Sequence, residues 1–267
     1  MVDPKMQNKL FEIWNNKNSV INAWLSIPNS LTAESFGAMG WDSITIDMQH
    51  GHHDYQTSIA MLQALSNSKS VPMARVPWNE PGIIMKMLDL GVLGIIAPMI
   101  NSKKECEDFV SYCYYPPIGQ RSFGPMRAQI RYGNDYFEKA NENIVSFAMI
   151  ETKESIDNLD EILSVPNLTG VYIGPADMSI SFGAKPQFDV KEDPVYSNIE
   201  LILKKTKEHG KIAGIQNGTT KYAKEMIDLG FQLVTISSDF RSMNSFAKNI
   251  VNDMKKLDNK EFKSESY

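Results

Sequence analysis

Cysteine is nearly missing from this chain: Cys106 and Cys113 are the two in 267 residues. Two thiols cannot staple a disulfide scaffold, and they lack zinc-type spacing, so they read as reduced core residues. Long apolar runs are missing as well. No stretch reaches the ~20 apolar residues of a membrane span, and positions 1–17 lack the apolar core of a signal peptide. The expected compartment is the cytoplasm. Positive charge is not in excess either, because the formal net charge is −5. That balance argues against nucleic acid or an anionic membrane as the main partner. It leaves a small anionic substrate open, since local charge at a site can oppose the net charge. Finally, no G-x-G-x-x-G turn follows an early strand, so a dinucleotide-binding open sheet lacks its fingerprint.

What is present is an ordinary globular composition, 42% hydrophobic and 22% charged, organised as a repeat. Short β-branched runs alternate with amphipathic stretches from end to end. The runs predict strands at Asn22–Ile27, Ser43–Met48, Val71–Val76, Gly94–Ile100, Ile144–Glu151, Leu168–Gly174, Lys211–Gln216 and Phe231–Ser237. Helix punctuation falls between them. Glu80-Pro81 opens one helix and Gly91 closes it; Thr219-Thr220 opens another and Gly230 closes it. Strand–helix units can close into a barrel or lie in an open doubly wound sheet, and the count of eight favours a (β/α)₈ TIM barrel filling residues 1–267 as one domain.

Three pieces stand outside the repeat. Residues 1–20 predict an extra helix that caps the barrel. Residues 115–143 form a long insertion, expected to be an active-site loop because loops of that length are usually functional or disordered. Residues 258–267 are rich in charge and expected to be a frayed tail.

Active-site groups of such barrels sit at the carboxyl ends of the strands, and four ends carry unexpected polar residues. The second ends in Asp47-Met48-Gln49-His50-Gly51, where an Asp can orient a His as an acid/base dyad; a plain surface turn is the alternative. The third ends in Arg75, on the same face as Val71 and Met73. Arg75 can bind a carboxylate or steady an enolate, or pair with a structural carboxylate. The fifth ends in Glu151, on the face of Met149, and the sixth runs into Gly174-Pro175-Ala176-Asp177. Alone, Glu151 reads as half of a salt bridge and Asp177 as a helix cap. Brought together in a partly dry pocket, two carboxylates call for a cation, and oxygen ligands suit Mg²⁺ or Mn²⁺, with Co²⁺ as a third candidate. His52 and His53 resemble a zinc cluster but read better as solvated residues before a helix. His209 reads as a helix-end cap.

On Asp47-Met48-Gln49-His50-Gly51, Ala74-Arg75-Val76-Pro77, Tyr115-Pro116-Pro117-Ile118-Gly119-Gln120-Arg121-Ser122, Ile150-Glu151-Thr152 and Gly174-Pro175-Ala176-Asp177-Met178-Ser179, the chain resembles the class II pyruvate-dependent aldolases. These include the 2,4-dihydroxyhept-2-ene-1,7-dioate and 2-dehydro-3-deoxyglucarate aldolases; the citrate lyase β-subunit is a more distant likeness. The similarity runs from about Ala23 to Ser245. It implies a metal held by Glu151 and Asp177, a keto oxygen held by Arg75, and a base, His50, partnered by Asp47. It also implies a substrate carboxylate received by backbone amides at Ala176 and Asp177, beside Gly174. The implied substrates are a 2-oxo acid and an aldehyde. The implied assembly is a hexamer of dimers that exchange their last helix, here Phe240 to Leu257, whose apolar stripe can equally cover its own barrel.

The chain departs from that family at Gln49, where Glu is common, and at Met149, two residues before Glu151, where some members have Gln. Both positions are expected to tune the site from its edge. In the insertion, Arg121, Arg127 and Arg131 are candidates for the far end of the substrate, or for a subunit contact. Two other readings remain: a CoA-thioester lyase of the citrate lyase β type, and a non-catalytic 2-oxo acid-binding homologue.

Overall fold

The computed structural model describes residues 6–255. Eight parallel strands close a barrel in sequence order: β1 (Val20–Leu25), β2 (Ser43–Asp47), β3 (Val71–Arg75), β4 (Gly94–Ala97), β5 (Val145–Ile150), β6 (Gly170–Ile173), β7 (Ile212–Asn217) and β8 (Leu233–Ser238). All eight expected strands are found, with ends displaced by a few residues. β4 stops at Ala97 rather than Ile100 for a physical reason. Pro98 has no N–H to give a ladder, and Met99 adopts a left-handed backbone, φ 55°. Strands covered by helices outside and packed side chains inside are buried on both faces, so β2, β4, β5 and β6 are buried along their whole length.

Helix ends follow local chemistry. Pro81 occupies the first turn of Pro81–Asp89, and Gly91 takes φ 94° just beyond it. Thr219 caps Thr220–Leu229 through the Tyr222 N–H, and Gly230 ends that helix at φ 108°, a conformation glycine adopts without a Cβ clash.

The first described helix, Lys9–Asn15, covers the amino-terminal mouth of the barrel. Asn8 caps it and donates to Leu93 O (3.2 Å), while Trp14 donates to Gln232 O (2.8 Å). Leu93 and Gln232 immediately precede β4 and β8. The earliest residues, 1–5, and the expected tail, including Leu257, lie outside the described residues.

The insertion does not reach the active-site end, contrary to expectation. The helix Lys103–Cys113 carries the chain down from the top of β4, so 115–143 begins and ends at the barrel's lower rim. There it folds into the helices Met126–Tyr132 and Tyr136–Asn143. Tyr132 donates to Gly91 O (2.8 Å), and the Asn143 side chain accepts from Asn8 N (2.8 Å). Cys106 and Cys113 are buried free thiols, and burial pushes Cys106 up to about 12. Among the described residues no helix is long and apolar enough to cross a membrane.

The last described helix, Asp239–Lys255, leaves the barrel surface. Phe246 is 70% exposed and Met254 81% exposed, and Met243 and Ile250 are exposed with them. Its stripe therefore does not cover its own barrel, and Ile21 on β1 is left exposed.

Candidate active site

A cavity of about 440 Å³ opens at the carboxyl ends of the strands, bordered by Asp47, His50, Arg75, Gly174, Ala176 and Asp177 among others. Its floor is aromatic: Trp24 and Tyr172 lie 5.9 Å apart between ring centroids.

Asp47 and Arg75 are register partners at the ends of β2 and β3, so pleat alternation sends both inward. Arg75 Nε donates to Asp47 Oδ1 (2.8 Å) and Nη2 to Oδ2 (2.7 Å), with both side chains buried. The guanidinium also lies 3.8 Å over the Trp24 ring. This two-pronged, stacked arrangement fixes its plane. Asp47 was expected to orient the His50 ring. Instead Asp47 Oδ1 accepts the backbone N–H groups of Gln49 (3.2 Å) and His50 (3.3 Å), so the carboxylate shapes the loop while its strongest bonds go to Arg75. The His50 ring borders the cavity. Desolvation there and then the Arg75 charge hold its pKa below the usual histidine value, against the opposite pull of Asp47 and Asp177.

Glu151 follows β5 and is buried. Its Oε1 accepts the Met99 N–H (2.8 Å), which the left-handed turn at Met99 aims toward it. Burial pushes Glu151 up to about 7; the Met99 bond opposes this, the Asp177 charge adds to it, and Arg75 opposes it. Asp177 sits exposed in the first turn of Pro175–Ser181, whose N-cap is Gly174, so Asp177 is not the cap. Among the described residues Glu151 makes no ion pair. Neither plain alternative holds for these two residues. A Cβ at Gly174 would lie 2.4 Å from Glu151 Oε2, so glycine is what lets β6 and its following turn approach that oxygen. The N–H groups of Ala176 and Asp177 precede the first intrahelical bond, Met178 N to Gly174 O (3.0 Å), and are donors a helix start offers to an anion.

A hard divalent cation fits this donor set. It would face carboxylate oxygens alone, one of them on a buried acid that burial and a neighbouring acid keep short of full ionisation. Mg²⁺-type sites commonly use one or two carboxylates and fill the remaining positions with water and substrate. No group of three or more His, Cys, Asp or Glu converges on an ion site among the described residues. His52 borders the cavity, and His53 turns inward with Nε2 2.8 Å from Leu25 O. His209 pairs with Asp160 (3.1 Å) on the outer surface.

Met149, expected at the edge of the site, borders the cavity itself. Gln49 does not; its Oε1 is buried without a partner. The insertion arginines lie elsewhere. Arg121 pairs with Asp89 (2.7 Å) and with the Tyr136 hydroxyl (3.1 Å), Arg127 donates to Leu90 O and Ser66 Oγ, and Arg131 flanks Arg127. These are contacts at the lower rim, and within one chain they do not meet the cavity. The opposite wall of the cavity, from Phe188, Gln216, Ser237 and Arg241, escaped sequence reasoning. Its one legible signal is the polar run Ser237-Ser238-Asp239 at the end of the eighth strand.

Residues 21–245 match the family model described as HpcH/HpaI aldolase/citrate lyase. A hydroxypyruvate/pyruvate aldolase from Rhizorhabdus wittichii is 38% identical over 250 residues, 94% of this chain and 100% of that protein. A 5-keto-4-deoxy-D-glucarate aldolase from Escherichia coli is 31% identical over 242 residues, 90% of this chain and 94% of that one. Among solved structures, an HpcH/HpaI aldolase/citrate lyase family protein from Burkholderia cenocepacia superposes with a TM-score of 0.87 at 25% identity. That match covers 93% of this chain and 100% of the other.

Proposed function

Because this chain belongs to the HpcH/HpaI aldolase/citrate lyase family, we propose that it is a divalent-cation-dependent carbon–carbon lyase. It splits 4-hydroxy-2-oxo acids into a pyruvate-type 2-oxo acid and an aldehyde, or joins the two. The observation that carries this reading is Glu151: a buried carboxyl beside Asp177, with no cationic partner of its own and a guanidinium nearby.

Mg²⁺ or Mn²⁺, with Co²⁺ as a third candidate, would be held by Glu151 and Asp177. When bound, it supplies positive charge where the enolate oxygen becomes negative. Arg75 acts at the same oxygen. Two of its five N–H groups are occupied by Asp47, so others remain for a keto oxygen, and the pairing orients them in advance. The N–H groups of Ala176 and Asp177 take the acid's carboxylate, next to the small Gly174. His50, held largely neutral, removes the proton from the 4-hydroxyl as the C3–C4 electrons pass into the oxo acid. The aldehyde leaves and C3 is then protonated; synthesis reverses these steps. Met149 shapes the cavity wall, and Gln49 adjusts the site from behind it.

The exposed stripe of Asp239–Lys255 and the bare Ile21 support an assembly in which this helix packs on a second copy, as in a hexamer of exchanged dimers. The catalytic reading is tested by NMR of pyruvate methyl protons in deuterated water. Enzyme stripped of metal should exchange them only after Mn²⁺ or Mg²⁺ is returned. If no cation produces exchange, enolate formation is ruled out.

A further inference from the structure

Just below the cavity floor the barrel interior turns polar. Side-chain alternation stacks Trp24 above Asn22 on β1, Asp47 above Thr45 and Ser43 on β2, and Arg75 above Met73 on β3. Such inner layers are ordinarily filled by branched apolar side chains. Here Asn22, Ser43, Thr45 and Thr235 of β8 are all fully buried. Polar groups cost free energy in such a place unless every one of them is paired.

The pairing is organised around one amide. Asn22 is the register partner of Ser43 on one side and of Thr235 on the other, so its side chain meets both strands. The Ser43 carbonyl, 3.1 Å from one end of the amide, can only accept, which puts the nitrogen there. The indole N–H of Trp24, 3.0 Å from the other end, can only donate, which puts the oxygen there. In that orientation Oδ1 also accepts the Thr235 hydroxyl (2.8 Å), and Nδ2 reaches Ser43 Oγ (2.8 Å). Thr235 Oγ1 lies 3.2 Å from the same indole N–H. The pairing of β1 with β8 shifts between Asn22 and Trp24, so one threonine serves two successive inward residues.

Trp24 is in turn the surface on which Arg75 rests, with the guanidinium 3.8 Å over its ring. The two bonds to Asp47 fix the guanidinium within its own plane but leave a hinge about the line from Nε to Nη2. The indole closes that hinge from one face, so the tilt of the ring sets the tilt of the N–H groups left for substrate. The ring has one polar handle, Nε1, and the layer of Asn22 and Thr235 holds it. An enolate oxygen carries more charge than the keto oxygen it grows from. A misaimed donor therefore costs the enolate more than it costs bound pyruvate.

We propose that Asn22 is a positioning residue: through the Trp24 indole it sets the plane of Arg75, and with it the stabilisation of the enolate. Asn22 itself is not among the residues that border the cavity. This rests on the aldolase reading above and adds to it a residue beneath the site.

The test follows exchange of pyruvate methyl protons in deuterated water by full-length enzyme with Mn²⁺, with rates expressed per Mn²⁺ site titrated by calorimetry. Asn22→Leu, similar in size and shape, should lower kcat of exchange roughly 10- to 100-fold, the cost of misplacing a group by about 1 Å. KM for pyruvate should change little, since the loss falls on the enolate. Trp24→Phe keeps a ring beneath Arg75 but has no N–H to hold. Adding Asn22→Leu to it should cost little more, whereas a purely structural role makes the two losses multiply. If Asn22→Leu does not fold, Thr235→Val takes its place: kcat should fall in the same way, and Thr235→Ser should restore it. Unchanged kcat per site in the variant used, losses that multiply, or no rescue by Thr235→Ser overturns the proposal. A wild type that exchanges no protons with Mn²⁺ or Mg²⁺ instead removes the aldolase reading, and this proposal with it.

Discussion

Arg75 and Asp47 face each other across adjacent strand ends in a two-pronged ion pair, 2.7 and 2.8 Å long, with both side chains buried. Removing one partner strands the other charge in a poorly solvated place. Asp47→Ala is therefore expected to lower stability by about 3 kcal/mol and to abolish activity by freeing the guanidinium. Arg75→Lys keeps the charge but cannot make both bonds. It should lose turnover more than stability. Denaturant unfolding alongside pyruvate exchange separates the two effects.

His50→Ala should slow aldol cleavage by roughly 10²- to 10⁴-fold, the usual contribution of a positioned base, while leaving Mn²⁺ affinity in place. Equal activity in that variant rules out His50. In the wild type, desolvation and Arg75 hold the imidazole pKa low. The base form thus persists to lower pH, and the acidic limb of kcat/KM should fall below the ~6.5 of a free histidine.

Glu151 makes stability depend on pH and on metal. Its folded-state value, about 7, stands above the ordinary 4.5, so the folded chain binds this proton more tightly than the unfolded chain. The contribution is complete below about pH 4.5 and is lost as pH rises through about 7. Metal-free enzyme should lose about 3 kcal/mol across that window from this group. Glu151→Gln flattens the slope, and Mn²⁺ restores stability at pH 8 in the wild type only. Urea unfolding at pH 5 and 8, with and without Mn²⁺, checks all three.

The exposed stripe of the last described helix predicts a change of assembly. Phe246→Asp with Ile250→Asp should shift the particle to a smaller mass in light scattering while the barrel keeps its circular dichroism. A wild type that is already monomeric would sink the exchanged-helix arrangement.

The fold was legible because each strand is a short β-branched run and each helix end has its own chemistry, as at Pro81, Gly91, Thr219 and Gly230. Side-chain alternation also placed Arg75 and Glu151 at the rim. What could not be read was where separate rim residues turn. Spacing alone joins Asp47 to His50, three residues on. Register instead joins it to Arg75, twenty-eight residues away.

The arginines show the same division. The chain by itself specified an eightfold strand–helix repeat and acidic and basic groups at strand ends, because both follow from periodicity and residue type along a few neighbours. Only closure of the barrel decided that 115–143 lies at the lower rim and that Arg241 faces the cavity. The descent of one helix and the turn at Ser237 set those positions, and both depend on contacts between residues far apart in the chain.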